Sequence, residues 1–211
     1  MQDEAGGQAV ATFRRPAVRR PDPSFFRKVL ARYPTGVTVI TAMTPSGPAG
    51  MAVNSFTSAS LDPPMILFCP ARTSTTWPVL QRAGILAVNL LSSGQADVSR
   101  LFARTGVDRF QGIGWVPGTN GAPLLDDAVA WIECRVVEEY PAGDHLVVLA
   151  HTDMMALNNH DREPLIFSAG RYLSPNHSPP EITGLSLAGQ PEYLKKSSSG
   201  PLFSVPETWF G

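Results

Sequence analysis

Two clusters of small polar side chains are the first groups in this chain with chemistry to offer. Asn54, Ser55, Thr57, Ser58 and Ser60 fall within NSFTSAS, and Thr73, Ser74, Thr75 and Thr76 follow Arg72. Turns and helix caps are rich in Ser and Thr, so composition alone makes neither cluster a site. Position sharpens the reading. The second cluster opens a short helix expected over TSTTWPVLQRAG, where free N–H groups and the helix dipole favour a phosphate and Arg72 adds a full charge. The first lies in extended chain, where alternate residues face one side. Small hydroxyls and one amide match neutral donors and acceptors along a planar ring edge, which Val would leave unpaired and Lys would crowd.

Together the clusters suit a phosphorylated, flat, polar heterocycle. Flavin mononucleotide, or the same half of FAD, fits that description, and these residues do not tell the two apart. Two further segments add to it. YPAGDHLVV (140–148) sets His145 at a turn leading into a strand, where it faces either a cleft or bulk solvent. FARTGVDRF (102–110) combines two aromatics with Arg104 and Arg109, which also suits a plain helix end and solvated loop. Asp144 adjoins His145 in what reads as a strand, so the two side chains are expected on opposite faces and Asp144 makes a poor orienting partner. Common signatures are missing. GIGWVPG (112–118) lacks the spacing of a dinucleotide-binding GxGxxG, and there is neither a P-loop nor a GxSxG elbow. His145, His151, His160 and His177 fall into no metal-ligand spacing, so no metal is expected. A Ser–His–Asp constellation needs its members only to meet in space and stays open.

These groups need a scaffold. The 211 residues suffice for one domain, and 43% hydrophobic against 17% charged residues allows a real core. A formal net charge of −1 removes the electrostatic basis for binding nucleic acid. No apolar run approaches the roughly 20 residues that span a bilayer, and the acidic start lacks the apolar segment of a secretory signal. Cys69 and Cys134 lie in separate apolar segments and read as buried free thiols. A cytoplasmic protein is expected.

Residues 1–22, with the basic, Pro-punctuated RRPAVRRPDP, read as a flexible extension. SFFRKVLARY then predicts a helix ended by Pro34, with Phe25, Phe26, Val29, Leu30 and Tyr33 on one face. Strands follow at VTVITAM (37–43) and GMAVNSFTS, forming a hairpin over the longer loop TPSGPAG, then at MILFC (65–69) and ILAVNL (85–90). SGQADVSRLFAR predicts another helix with Val98, Leu101 and Phe102 inward. Strands at 128–140, 145–154 and 164–168 complete the series. Short paired strands without regular intervening helices argue for a mainly β, antiparallel barrel with a few peripheral helices. Residues 174–211 are rich in Pro, Ser and Gly but end in apolar FSVPETWF. Phe203, Trp209 or Phe210 is expected either to dock on the domain or a second subunit, or to end a frayed tail.

Residues 24–173 resemble the flavin reductase family, the small reductases that supply two-component flavin monooxygenases. The resemblance runs in order through FRKVLARYPTGVTVITA, GMAVNSFTSASLDPPMILFCP, STTW, LAVNLL, VSRLFA, DRFQGIGW, GAPLLDDAVAWIEC, GDH and PLIFSAGRY. It implies a Greek-key FMN-binding split barrel over 23–173, paired as a homodimer. It further implies a flavin surface made by Gly50, Met51, Ala52, Val53, Asn54 and Ser55, by Cys69, Pro70 and Ala71, by Ser74, Thr75 and Thr76, and by Phe102. Arg109 and Phe110 match a basic–aromatic pair at the phosphate or ring, and His145 matches the histidine associated with the nicotinamide nucleotide. The implied reaction passes a hydride from nicotinamide C4 of NADH or NADPH to N5 of FMN or FAD, with reduced flavin going to a partner monooxygenase. No acid–base residue is required. An FMN-holding oxidase of the pyridoxamine-phosphate-oxidase type and a non-catalytic flavin- or haem-binding module are the alternatives. Ile66 and Phe68 should pack in the barrel, with Asn54 and Ser55 against flavin.

Overall fold

The computed structural model describes residues 16–158 and 162–175. Most of the expected N-terminal extension, and the C-terminal tail with Phe203, Trp209 and Phe210, lie outside the described residues. The chain opens with α1 (Pro23–Leu30), followed by β1 (Thr35–Gly36), β2 (Thr38–Thr44), β3 (Gly47–Val53), β4 (Phe56–Leu61) and β5 (Pro64–Phe68). Next come α2 (Trp77–Ala83), β6 (Ile85–Leu90), α3 (Ala96–Phe102), β7 (Trp115–Pro117) and β8 (Pro123–Leu125). The long hairpin β9 (Ala130–Ala142) and β10 (His145–Leu157) and short strands β11 (Ile166–Ser168) and β12 (Arg171–Leu173) complete the order.

Seven strands form one antiparallel sheet in the order β3-β2-β6-β9-β10-β5-β4. Its two edge strands, β3 and β4, are joined by Asn54 and Ser55 alone. Laid flat, seven strands would hold those edges about 29 Å apart. Three chain steps from Val53 to Phe56 reach at most about 11 Å. The sheet must therefore curl until its edges meet, which makes it a barrel. Ile40, Phe68, Trp77, Leu80, Leu86, Val88, Cys134 and Val148 fill its interior. Ile66 and Phe68 pack there as expected, at 5% and 0% exposure. A second apolar cluster of Val37, Val39, Leu91, Phe102, Leu125 and Leu165 lies under α3 and β8. The mainly β, antiparallel architecture with peripheral helices is the one the sequence predicts.

Several local expectations change. GMAVNSFTS is two strands, because the barrel seam cuts the run at Asn54–Ser55. The β2–β3 turn is tight: Thr44 pairs with Gly47, leaving Pro45 and Ser46 as the loop. Thr44 Oγ1 bridges it by donating to the Gly47 carbonyl at 2.7 Å. The first helix starts one residue early, with Pro23 in its first turn and Asp22 as N-cap, accepting from the N–H groups of Ser24 at 3.0 Å and Phe25 at 2.9 Å. Its apolar side is not buried by the described residues: Phe26, Leu30 and Tyr33 are 55%, 50% and 73% exposed. Gly84 stops α2 in the left-handed region at φ 69, as its position predicts.

Candidate functional site

Gly50 sits in β3 opposite Thr41, hard against α3. A Cβ there would stand 2.7 Å from Phe102 Cε1 and 3.0 Å from the Ile40 carbonyl oxygen. Only glycine lets β3 and Phe102 come this close. Phe102 is buried behind the strand and packs edge-on against Phe110 at 5.1 Å, which in turn meets Trp115 at 6.2 Å.

Arg109 ties three segments together. It donates to the Gly50 carbonyl at 2.6 Å, to Thr76 Oγ1 at 2.8 Å and twice to the Arg104 carbonyl, through Nε at 2.7 Å and through Nη2. These bonds commit four of the five donors of a guanidinium. Desolvation lowers its pKa, yet it stays a cation. A cleft of about 320 Å³ opens beside it, lined by Ala49, Gly50, Thr75, Thr76, Arg109 and Phe110. Within the Thr73–Thr76 run the roles separate. Ser74 Oγ, two residues before the Thr76 N-cap of α2, accepts from the Trp77 N–H at 3.0 Å, Thr76 receives Arg109, and Thr75 lines the cleft.

At the barrel seam the Ser55 hydroxyl commits its proton and one lone pair to the main chain of one residue. It accepts from the Cys69 N–H and donates to the Cys69 carbonyl, both at 3.0 Å, which pins the β3–β4 junction to the end of β5. Burial pushes the Cys69 thiol up, with the Ser55 hydrogen bond opposing it. Asn54 and Ser55 line a cleft of about 500 Å³ with Thr35, Phe26, Arg27 and Phe167. The Thr35 hydroxyl is buried in that wall with no hydrogen-bond partner. Ala52, Val53 and Asn54 border a smaller neighbouring cleft with Ser99, Phe167 and Tyr172. Met51 packs on the core cluster and lies 4.0 Å from Ser74 Oγ. The Asn54 amide, the Ser55 main chain and the orphaned Thr35 hydroxyl of the larger cleft fit the edge of a flat polar ring.

Asp144 overturns one expectation. Gly143, at φ 65, and Asp144 are the two turn residues between β9 and β10, so the alternation of a strand does not apply to Asp144. Its Oδ1 lies 2.8 Å from His145 Nδ1. That hydrogen bond, and then the charge of His145, hold the Asp144 carboxyl below its ordinary pKa. The same turn is stitched to the segment after β5: the Arg72 N–H donates to the Asp144 carbonyl at 2.9 Å and the Leu146 N–H to the Pro70 carbonyl at 3.0 Å. Ala71 bridges to His145. The fold thus brings Cys69, Pro70 and Ala71 against His145 and, through Ser55, against the seam. Gly50, Thr75, Thr76, Arg109 and Phe110 gather at the separate cleft beside α2. Sequence reasoning missed Thr35, Phe26, Arg27 and Asp144 as site neighbours; the signal for Thr35 was its place in PTGVTVIT. Among the described residues, no group of three His, Cys, Asp or Glu is placed to hold a metal ion.

Comparison with known proteins gives a consistent result. The family described as "Flavin reductase like domain" matches residues 30–175. A flavin reductase of Pseudomonas putida is 43% identical over 150 residues, which is 71% of this chain and 88% of the relative. The flavin-dependent monooxygenase reductase subunit HsaB of Mycobacterium tuberculosis is 38% identical over 152 residues, covering 72% of this chain and 81% of its own length. The solved structure of the Streptomyces globisporus NADH:FAD oxidoreductase SgcE6, in complex with NAD and FAD fragments, aligns with a TM-score of 0.69 at 37% identity. It covers 76% of this chain and 100% of that one.

Proposed function

The chain belongs to the flavin reductase-like domain family, and we infer that it is an NAD(P)H:flavin oxidoreductase that reduces FMN or FAD for the monooxygenase component of a two-component system. The two cofactors supply the redox chemistry themselves, a hydride leaving the nicotinamide C4 for the flavin N5. The protein's part is positioning. In this reading, residues 23–173 form the catalytic unit between the extensions 1–22 and 174–211. The main-chain edge from Gly50 to Ser55, with Asn54 and Thr35, holds the ring, and Cys69, Pro70 and Ala71 form its floor. Thr75, Thr76 and the charge of Arg109 receive a phosphate, Ser74 holds the first N–H of the helix they open, and Phe102 and Phe110 back the strand. His145 orients the nicotinamide nucleotide.

The observation that carries this assignment is the meeting of the His145 turn with the Cys69–Arg72 segment, which Ser55 ties to the seam. It supports one compartment for both rings. Oxidation of NADH and of NADPH, each with FMN, FAD and riboflavin, tests the reading and settles which pair is preferred. His145→Ala should raise KM for the nicotinamide nucleotide by about fivefold to tenfold, the cost of one good contact, with a smaller change in flavin KM. Equal changes in both would remove His145 from the nicotinamide side.

The family reading also includes a homodimer. Beyond His151, β10 has no partner strand on its β5 side among the described residues, and Met154, Met155 and Leu157 there are 54%, 69% and 81% exposed. An open apolar strand edge supports pairing with a second copy, and sedimentation of the full chain as a monomer would count against it. Among the described residues no helix is long and apolar enough to cross a membrane. Action in the cytoplasm, where reduced nicotinamide nucleotides are held, completes the reading.

A further inference from the structure

Two clefts on this molecule share a wall. One, about 500 Å³, is lined by Thr35, Asn54, Ser55 and Phe167. The other, about 550 Å³, is lined by Pro21, Asp22, Pro23, Asp144 and His145. Phe26 and Arg27 of α1 line both. In the reading above the first cleft takes the flavin edge and the second the nicotinamide nucleotide, so Arg27 stands where the two substrates meet. Its side chain forms no ion pair or hydrogen bond among the described residues. The two carboxylates of the second cleft are each engaged. Asp22 accepts from Ser24 Oγ at 2.6 Å as well as from the N–H groups of Ser24 and Phe25, and Asp144 is bound to His145. A free, planar guanidinium in such a place is suited to a phosphate, which it can grip through two parallel N–H donors.

We propose that Arg27 is a specificity-determining residue that binds a phosphate of the nicotinamide nucleotide between the His145 cleft and the flavin cleft. The proposal rests on the assignment of His145 to that nucleotide. It makes the first helix part of the site, a role its exposed position alone would not suggest, and it predicts discrimination between phosphorylated and unphosphorylated hydride donors.

The test compares the full-length wild type, Arg27→Ala and Arg27→Lys at saturating flavin, with reduced nicotinamide riboside, reduced nicotinamide mononucleotide, NADH and NADPH as donors. The riboside carries the same ring without phosphate. Arg27→Ala should raise KM for NADH by about fivefold, as loss of one exposed charge-assisted contact does, with kcat within about twofold. KM for the riboside should stay unchanged, and Arg27→Lys should recover most of the NADH affinity. A matching rise for the mononucleotide identifies the phosphate next to the nicotinamide; a rise for NADH without one for the mononucleotide identifies the phosphate on the adenosine side. Equal rises for riboside and NADH, or no rise for any phosphorylated donor, overturn the proposal. A wild type that oxidises none of the four donors with any flavin overturns the reductase reading itself. Because Arg27 is exposed, unchanged melting of both variants separates binding from folding.

Discussion

Gly50 serves two contacts at once, since its carbonyl receives Arg109 and its missing side chain leaves room for Phe102. Gly50→Ala should force Phe102 or the strand to move, at a cost of about 1–3 kcal/mol for an overpacked site. The displaced strand should also loosen the Arg109 bond and raise flavin KM. Urea unfolding and flavin titration check both effects, and Phe102→Leu added to Gly50→Ala should restore part of the stability by removing the ring that the new Cβ meets. A Gly50→Ala variant as stable as wild type would mean that the backbone yields there without strain. Ser55 teaches a related lesson. Its residue type suggested a hydroxyl offered to a ligand, whereas both its bonds go to Cys69, so its backbone and neighbouring Asn54 are what remain for a ring.

At the scale of elements, the β7–β8 hairpin is held to the barrel by a buried carboxylate. Glu133, 6% exposed on β9, accepts from the Thr119 N–H at 3.1 Å, Thr119 Oγ1 at 2.8 Å and the Asn120 N–H at 2.7 Å. Glu133→Ala leaves those donors without an acceptor and should cost about 2–4 kcal/mol. Amide exchange over residues 115–125 should quicken more than in β2 or β6; uniform quickening would show that Glu133 does not act on this hairpin in particular. Strands at 37–43, 65–69 and 85–90 were legible because their apolar runs are continuous and bounded by turn residues. The break at Asn54–Ser55 was not, because residues on both sides of it are equally suited to extended chain and only closure of the sheet divides them. Asp144 was misjudged for a similar reason: strand alternation was extended one residue into a turn. The apolar side of α1 was legible as a stripe, but its exposure depends on what else approaches it, which no periodicity encodes. Most of the candidate site residues could be named from family motifs, while Thr35, Phe26 and Arg27 needed the fold to bring them to the same cleft.

For the whole molecule, the barrel interior sets how stability responds to alkali. Cys134 is fully buried on β9, and desolvation, with a further contribution from the charge of Asp153, pushes its thiol from an ordinary 9.0 up to about 12. The native state thus keeps this proton over a range in which the unfolded chain gives it up. A raised folded pKa contributes stability in full below the unfolded value, and that contribution is lost as pH climbs from about 9 towards about 12. One pH unit above the unfolded pKa, the loss is about 1.4 kcal/mol from this group alone. Tyr and Lys side chains also titrate in this window, so the slope must be read by difference. Urea midpoints of wild type and Cys134→Ala should be compared between pH 8 and pH 10 by the conditions of about one unit either side of 9. Cys134→Ala should be less stable at the lower pH, having lost a packed side chain, and should show a shallower decline at the higher one. Parallel declines in the two proteins would mean that the thiol ionises in the folded barrel nearly as readily as in the open chain, and that the interior around β9 admits water.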